Sequence, residues 1–210
     1  MSDLKDLILA RISDAARSSV WTVNDFLDLG SYDAVRKMLQ RLSSAGDIRR
    51  IDDGLYDKPQ PNRLTQQADP PSPRDVIDAV ARRNKIRILV DGMTAANDLG
   101  LTNAVPAKIV VHADARLRPI QLGNMTISFK PTAASKLYWA GRPAMRLVQA
   151  LHWLRDTTDL PTLSAQVRAL LRRIPNADQL RQDLAEGMPA LPAWMQDLLK
   201  PLVNTAPNSK

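Results

Sequence analysis

Apolar residues recur at helical spacing from the start of the chain. Leu4, Leu7, Ile8, Ile12 and Ala15 share one face of a helix over residues 3–16. A short helix follows in "TVNDFLDLG", opened by Thr22 with Asp25 three residues on and closed by Gly30. Ser31 then caps a third helix, in which Val35, Met38, Leu39 and Leu42 form an i, i+3, i+4, i+7 stripe. Asp33, Arg36, Lys37, Gln40 and Arg41 form an equally regular polar stripe on another face, and Gly46 stops the helix. Ile48–Ile51, the turn "DDG" and "LYDK" read as two short strands in a hairpin. Helix, short helix, helix, hairpin is the order of a winged helix-turn-helix, here over residues 1–58.

The pattern breaks in "PQPNRLTQQADPPSP", residues 59–73, where five prolines in fifteen residues predict an extended linker. Beyond it the spacing predicts a helix over 74–84, a strand in "IRILV", a short helix ended by Gly100 and a strand in "AKIVVH". In "RPIQLGNMTISFK", Ile120, Leu122, Ile127 and Phe129 alternate with Gln121, Thr126 and Ser128 around Gly123-Asn124, the pattern of a hairpin. Helices are expected over roughly 143–156, 162–173, 176–186 and 190–203, and a disordered tail over 204–210. The expected fold class is α+β: the winged helix-turn-helix, then a mixed α/β domain over 74–203 with a helical tail.

Charge adds detail to this picture. The formal net charge is +7, which favours polyanions. Residues 1–60 nevertheless carry nine Lys/Arg against ten Asp, and the remainder carries 20 basic and 12 acidic residues. Positive charge near the expected DNA-reading helix is therefore local, with five basic residues and one acid, Asp47, over 36–50. If nucleic acid is a partner, the second domain contributes to its binding as well. With no cysteine and only two histidines, His112 and His152, neither a disulfide framework nor a metal site is expected. No apolar run reaches the roughly 18 residues a membrane span needs. The opening residues, with Asp3 and charges throughout, do not follow the layout of a secretory signal, so a cytoplasmic location is expected.

The chemistry of the third helix suits DNA. Arg36, Lys37 and Arg41 are the residue types that pair with guanine edges or phosphate, and Gln40 is one that pairs with adenine. Ser31 and Tyr32 stand at the helix start, where phosphate is held, and Arg49 and Arg50 on the wing's first strand would add phosphate contacts. Each feature also has a plainer reading: a solvated helix face, a turn "DDG" chosen for its backbone geometry, and a basic cluster "ARRNKIR" that offsets a helix dipole. Trp139, Trp153 and Trp194 read as core. No phosphate loop, nucleophile elbow or metal box occurs, so no catalytic residue, cofactor or metal is expected and the chain is read as a non-enzyme.

The segments "LQRLSSAGDIRRIDDGLYDKP" and "GMTAANDLGLTNAVPAKIVVHADARLRPIQLGNMTISFK", with "ALHWLR" further on, resemble the DUF6088 branch of the AbiEi-type antitoxins over roughly residues 20–156. The resemblance implies an antitoxin of a toxin–antitoxin or phage-defence module. Its winged helix would bind inverted repeats in the module's own promoter and repress it. Its second domain would counteract a nucleotidyltransferase-like toxin, with or without direct contact. The recognition helix maps onto Ser31–Ala45 and the wing onto Ile48–Tyr56. The chain departs from the family's usual pattern at "VDGMTAAND" and "LTNAVPA". The implied partners are double-stranded operator DNA and a cognate toxin, with the protein a monomer in solution or a dimer on DNA. The alternatives are a transcriptional regulator unrelated to a toxin, and a protein-binding module that neutralises a toxin in a direct complex.

Overall fold

The computed structural model describes residues 3–14, 19–59, 68, 70–104 and 106–203. The proline-rich segment and the tail over 204–210, read from sequence as linker and disordered end, lie largely and wholly outside these residues. The chain is a mixed α+β protein with eight α-helices and two small sheets among the described residues. No helix among them is long and apolar enough to cross a membrane.

Two compact units are present. The first comprises Met1–Ile86 with Pro119–Ile127, the second Arg87–Arg118 with Ser128–Lys210. The first unit opens with α1 (Leu4–Asp14), a two-residue strand β1 (Val20–Trp21) and a 3-10 turn over Val23–Phe26. Asp25 closes that turn by accepting the Thr22 backbone N–H at 2.7 Å. The short helix expected over 22–30 is thus a single 3-10 turn, held by a carboxylate in the position that Glu or Gln usually takes.

α2 (Tyr32–Ser44) follows, capped by Ser31, whose hydroxyl accepts the Ala34 N–H at 3.4 Å. It ends where Gly46 adopts φ +80°, which lets the Asp47 N–H reach back to the Leu42 carbonyl at 3.0 Å. The buried stripe is the expected one: Val35, Leu39 and Leu42 pack with Ile8, Ile12, Val23, Phe26, Ile48 and Tyr56 in one cluster. Arg11 ties α1 to the segment after the 3-10 turn, donating to both Asp28 oxygens at 2.7 and 2.6 Å and to the Asp25 carbonyl at 2.8 Å. Its hydrogen bonds hold the Asp28 carboxyl below the usual carboxylate range.

β2 (Arg49–Asp52) and β3 (Leu55–Asp57) form the hairpin around Asp53-Gly54, and the sheet order is β1-β3-β2, all antiparallel. β1 was not legible in sequence, since two residues cannot display an alternation. α3 (Pro73–Asn84), capped by Ser72 and led by Pro73, also packs in this unit, against β1 and β3. From sequence alone this helix, following the proline-rich segment, is expected at the head of the second domain. Its amphipathic spacing identifies Val76, Ile77 and Val80 as buried but says nothing about which elements cover them. The hairpin of β6 (Ile120–Leu122) and β7 (Met125–Pro131) turns at Gly123-Asn124 in the expected register, with Ile120 opposite Ile127 and Gln121 opposite Thr126.

In the second unit β4 (Ile88–Val90) pairs antiparallel with β5 (Lys108–Ala113). β7 runs from the first unit into the second, so that the four-stranded sheet has the order β4-β5-β7-β6. α4 (Gly92–Asp98) is capped by Asp91, which accepts the Thr94 N–H at 3.0 Å, its hydroxyl at 2.7 Å and the Val110 N–H at 3.2 Å. One carboxylate thereby anchors both a helix start and the neighbouring strand. α5 (Met145–Leu154), α6 (Leu160–Arg173), α7 (Ala177–Gly187) and α8 (Ala193–Val203) complete the unit. Leu147, Leu151, Leu163, Val167, Leu184 and Leu199 are fully buried among them. Trp139 is buried, whereas Trp194 is half-buried beneath the Arg155 guanidinium, 4.5 Å from its ring.

Candidate nucleic-acid interface

α2 buries one face, and that leaves the other to solvent. The side chains of Lys37, Gln40 and Arg41 are exposed and make no hydrogen bond or ion pair among the described residues. Arg36 is exposed as well, its Nε 3.8 Å from Asp33 Oδ1 in a loose i, i+3 pair that constrains it little. Tyr32 is 54 % exposed at the first turn. Ser31 spends its oxygen on the cap, so what it contributes at the helix start is the conformation of the first turn.

The hairpin is arranged differently. Arg49 clasps Asp57 through Nε at 2.9 Å and Nη2 at 2.5 Å, and Asp57 is only 6 % exposed. Arg50 folds onto the tip, with Nη2 2.7 Å from Asp53 Oδ1. The cause is a bulge. A regular ladder from the pair Asp52–Leu55 would place Arg50 opposite Asp57. Instead Ile51 is extra, so Arg50 faces Tyr56 and Arg49 faces Asp57. Both candidate phosphate ligands of the wing therefore have carboxylate partners.

α2 and the hairpin converge at Tyr56. Burial pushes its phenol above the ordinary value, while Arg50 and Arg36 act in the opposite sense and Asp53 and Tyr32 reinforce it. Arg36 and Arg50, from two different elements, thus lie within electrostatic range of one hydroxyl. The Arg49–Asp57 clasp leads to a specific expectation. Asp57→Ala removes two charge-assisted hydrogen bonds from the half-buried Arg49 guanidinium and should cost about 2 kcal/mol of stability. Chemical denaturation measures it, and a loss under about 0.5 kcal/mol, typical of an exposed pair, contradicts the clasp.

Sequence reasoning also undervalued Arg82 and Arg83. Arg82 Nη2 donates to the Val20 carbonyl at 3.1 Å and lies 3.4 Å from Asp25 Oδ2, and Arg83 Nη1 donates to the Asp53 carbonyl at the hairpin tip. Asn24 Nδ2 donates to the Arg83 carbonyl at 3.4 Å. These residues fasten α3 to β1, the 3-10 turn and the hairpin. No local signal marks such a role, because it depends on which carbonyl each guanidinium meets.

The family model of DUF6088, a family of unknown function, matches residues 7–180. The chain belongs to the DUF6088 family. No curated protein matches it. The matched span runs from α1 into α7 and takes in most of each unit of this DUF6088 protein, with the rest of α7 and α8 beyond it. The two histidines of the DUF6088 chain belong to the second unit. His112, half-buried in β5, has Nδ1 2.9 Å from Thr132 Oγ1, and its pKa is lowered by burial and by Lys130 against an opposing Asp91. His152 stands edge-on to Trp194 at 6.3 Å. Among the described residues no three His, Asp or Glu side chains gather as metal ligands.

Proposed function

We propose that residues 1–58 form a winged helix-turn-helix that reads the promoter of its own operon, and that the DUF6088 protein is an antitoxin and autorepressor opposing a nucleotidyltransferase-like toxin. The observation that carries the DNA-reading part is the solvent face of α2. The side chains of Lys37, Gln40 and Arg41 stand free on a capped helix whose opposite face is buried. Arg36 and Tyr32 extend that face toward the helix start. The antitoxin part rests on the resemblance of "GLYDKP" and "GMTAANDLGL" with the following hairpin to AbiEi-type antitoxins.

In this reading base edges are met by Arg36, Lys37, Gln40 and Arg41. Two copies on an inverted repeat would set their recognition helices about 34–36 Å apart, or a multiple of that spacing. Replacing Arg36 with alanine is expected to cost about 1–3 kcal/mol on the operator and to relax its sequence preference. Fluorescence anisotropy on operator and random duplexes checks this. Equal weakening on both would make Arg36 a phosphate contact rather than a base reader.

One observation favours a second reading, in which the protein neutralises a toxin by direct contact and the winged helix is a scaffold. The hairpin's arginines are engaged by Asp53 and Asp57 rather than presented outward. Co-purification of a neighbour-encoded protein, without salt-sensitive DNA binding, would support that alternative.

A further inference from the structure

Two acids stand at the tip of the first unit's hairpin. The side chain of Asp53 is 95 % exposed. That of Asp52 is exposed as well and makes no hydrogen bond or ion pair among the described residues. Carboxylates at the tip of a hairpin that meets DNA repel the phosphates they approach. The turn does not require them. Gly54, at φ +64°, supplies its left-handed residue, and asparagine before that glycine suits such a turn equally well.

Asp53 is tied to a specific cation. Its Oδ1 accepts Arg50 Nη2 at 2.7 Å, and Arg50 Nε lies 3.4 Å from the Asp52 carbonyl oxygen. The backbone of Asp53 is anchored in turn, because Arg83 Nη1 donates to its carbonyl oxygen. Arg50 is therefore folded along its own hairpin by a carboxylate three residues on. Its position is beside α2. Arg50 stands opposite Tyr56 in the register, so the two share one face of the hairpin, and Tyr56 packs with Val35, Leu39 and Leu42 of α2. Arg50 and Asp53, together with Arg36 and Tyr32 from the start of α2, all lie within electrostatic range of the Tyr56 hydroxyl. Arg50 is thus a half-exposed cation next to the solvent face of α2, and an acid of the same hairpin already holds it.

A guanidinium grips carboxylate and phosphate through the same N–H groups. We propose that Asp53 is a built-in phosphate surrogate: it holds Arg50 in place of a DNA backbone phosphate and so limits the affinity of the first unit for duplex DNA of any sequence. This role rests on the reading of α2 as a DNA-contacting helix. Phosphate contacts carry no sequence information. Asp53 therefore sets how tightly DNA is held, while α2 sets which DNA is held. Without the Asp53 carboxylate, each bound copy gains one phosphate contact through Arg50.

Fluorescence anisotropy of the full chain on its own upstream DNA and on random duplex, over a series of salt concentrations, tests the role of Asp53. The variants are Asp53→Asn, Arg50→Gln and the two combined, and thermal denaturation verifies that each folds. Asp53→Asn should tighten binding to both duplexes by the same factor, about fivefold. It should also steepen the fall of log affinity with log salt by about 0.9 per bound copy, the mark of one added phosphate contact. Arg50→Gln should change affinity by less than about twofold, since the guanidinium is already occupied, and the double variant should lose the gain. No gain from Asp53→Asn would overturn the proposal. So would an equal gain in the absence of Arg50, which would make Asp53 a bare repelling charge, or a gain confined to the upstream DNA, which would make Asp53 part of base reading. If neither the native chain nor any variant binds either duplex, the DNA reading of α2 falls too. If the native chain binds and Asp53→Asn changes nothing, the surrogate alone falls.

Discussion

Replacing Gly92 with alanine is expected to cost the second unit about 3 kcal/mol of stability, at the upper end of ordinary overpacking. Gly92 is the first residue of α4, directly after the Asp91 cap, where α4 lies against α5. A Cβ there would sit 2.5 Å from Trp153 Cβ and 2.7 Å from the Gln149 carbonyl oxygen. Both obstacles are fixed to the backbone of α5, so no side-chain rotation relieves them. The helices must separate, and Thr94, Ala95 and Ala96, all buried, lose their close packing. Thermal and chemical denaturation measure the loss. A change smaller than about 1 kcal/mol would mean that α4 and α5 do not approach as closely as described.

Asp183→Ala should cost a similar amount, about 3 kcal/mol, because it strands two groups at once. Asp183 is 7 % exposed on α7. One oxygen accepts Arg142 Nε at 2.7 Å and the other accepts the Ala144 N–H at the start of α5 at 2.8 Å. Arg142 is fixed further by the faces of Tyr138 and Trp139, 5.0 and 5.5 Å from its guanidinium. Removing the carboxylate leaves that partly buried cation only the exposed Glu186, 3.4 Å away, and the Ala144 N–H at the cap of α5 without an acceptor. Asp183→Asn keeps one acceptor and should cost roughly half as much. Glu186→Gln, whose exposed carboxylate is 3.4 Å from the same arginine, should cost under about 0.5 kcal/mol. Equal effects of the Asp183 and Glu186 changes would contradict the division of roles.

The sequence made the helices and the longer strands legible because each carries its own period. The stripe Val35–Met38–Leu39–Leu42 gave α2 its buried face, and the alternation about Gly123-Asn124 gave the β6–β7 register residue for residue. What remained hidden depends on partners distant in sequence. β1 exists because Val20 and Trp21 meet β3, and α3 joins the first unit because Arg82 and Arg83 meet carbonyls about 60 and 30 residues away. The partners of the wing's arginines are hidden in the sequence for a local reason. The letters "RRIDDGLYDK" suggest two free arginines, and only the bulge at Ile51 turns Arg49 onto Asp57. On α2, by contrast, all four of the expected base-reading residues, Arg36, Lys37, Gln40 and Arg41, stand on the solvent side as their spacing required.

The most direct test of the DNA-reading account is a mobility shift of the full chain on its own upstream DNA, at two salt concentrations with random duplex as competitor. With the wing's arginines engaged and the α2 cations on base edges, each copy neutralises few phosphates, so the logarithm of affinity should fall only shallowly against the logarithm of salt. The account predicts a competitor-resistant shift with that shallow slope. Binding abolished by random duplex, or no shift at low salt, would contradict it and make the polar stripe of α2 a solvated helix face.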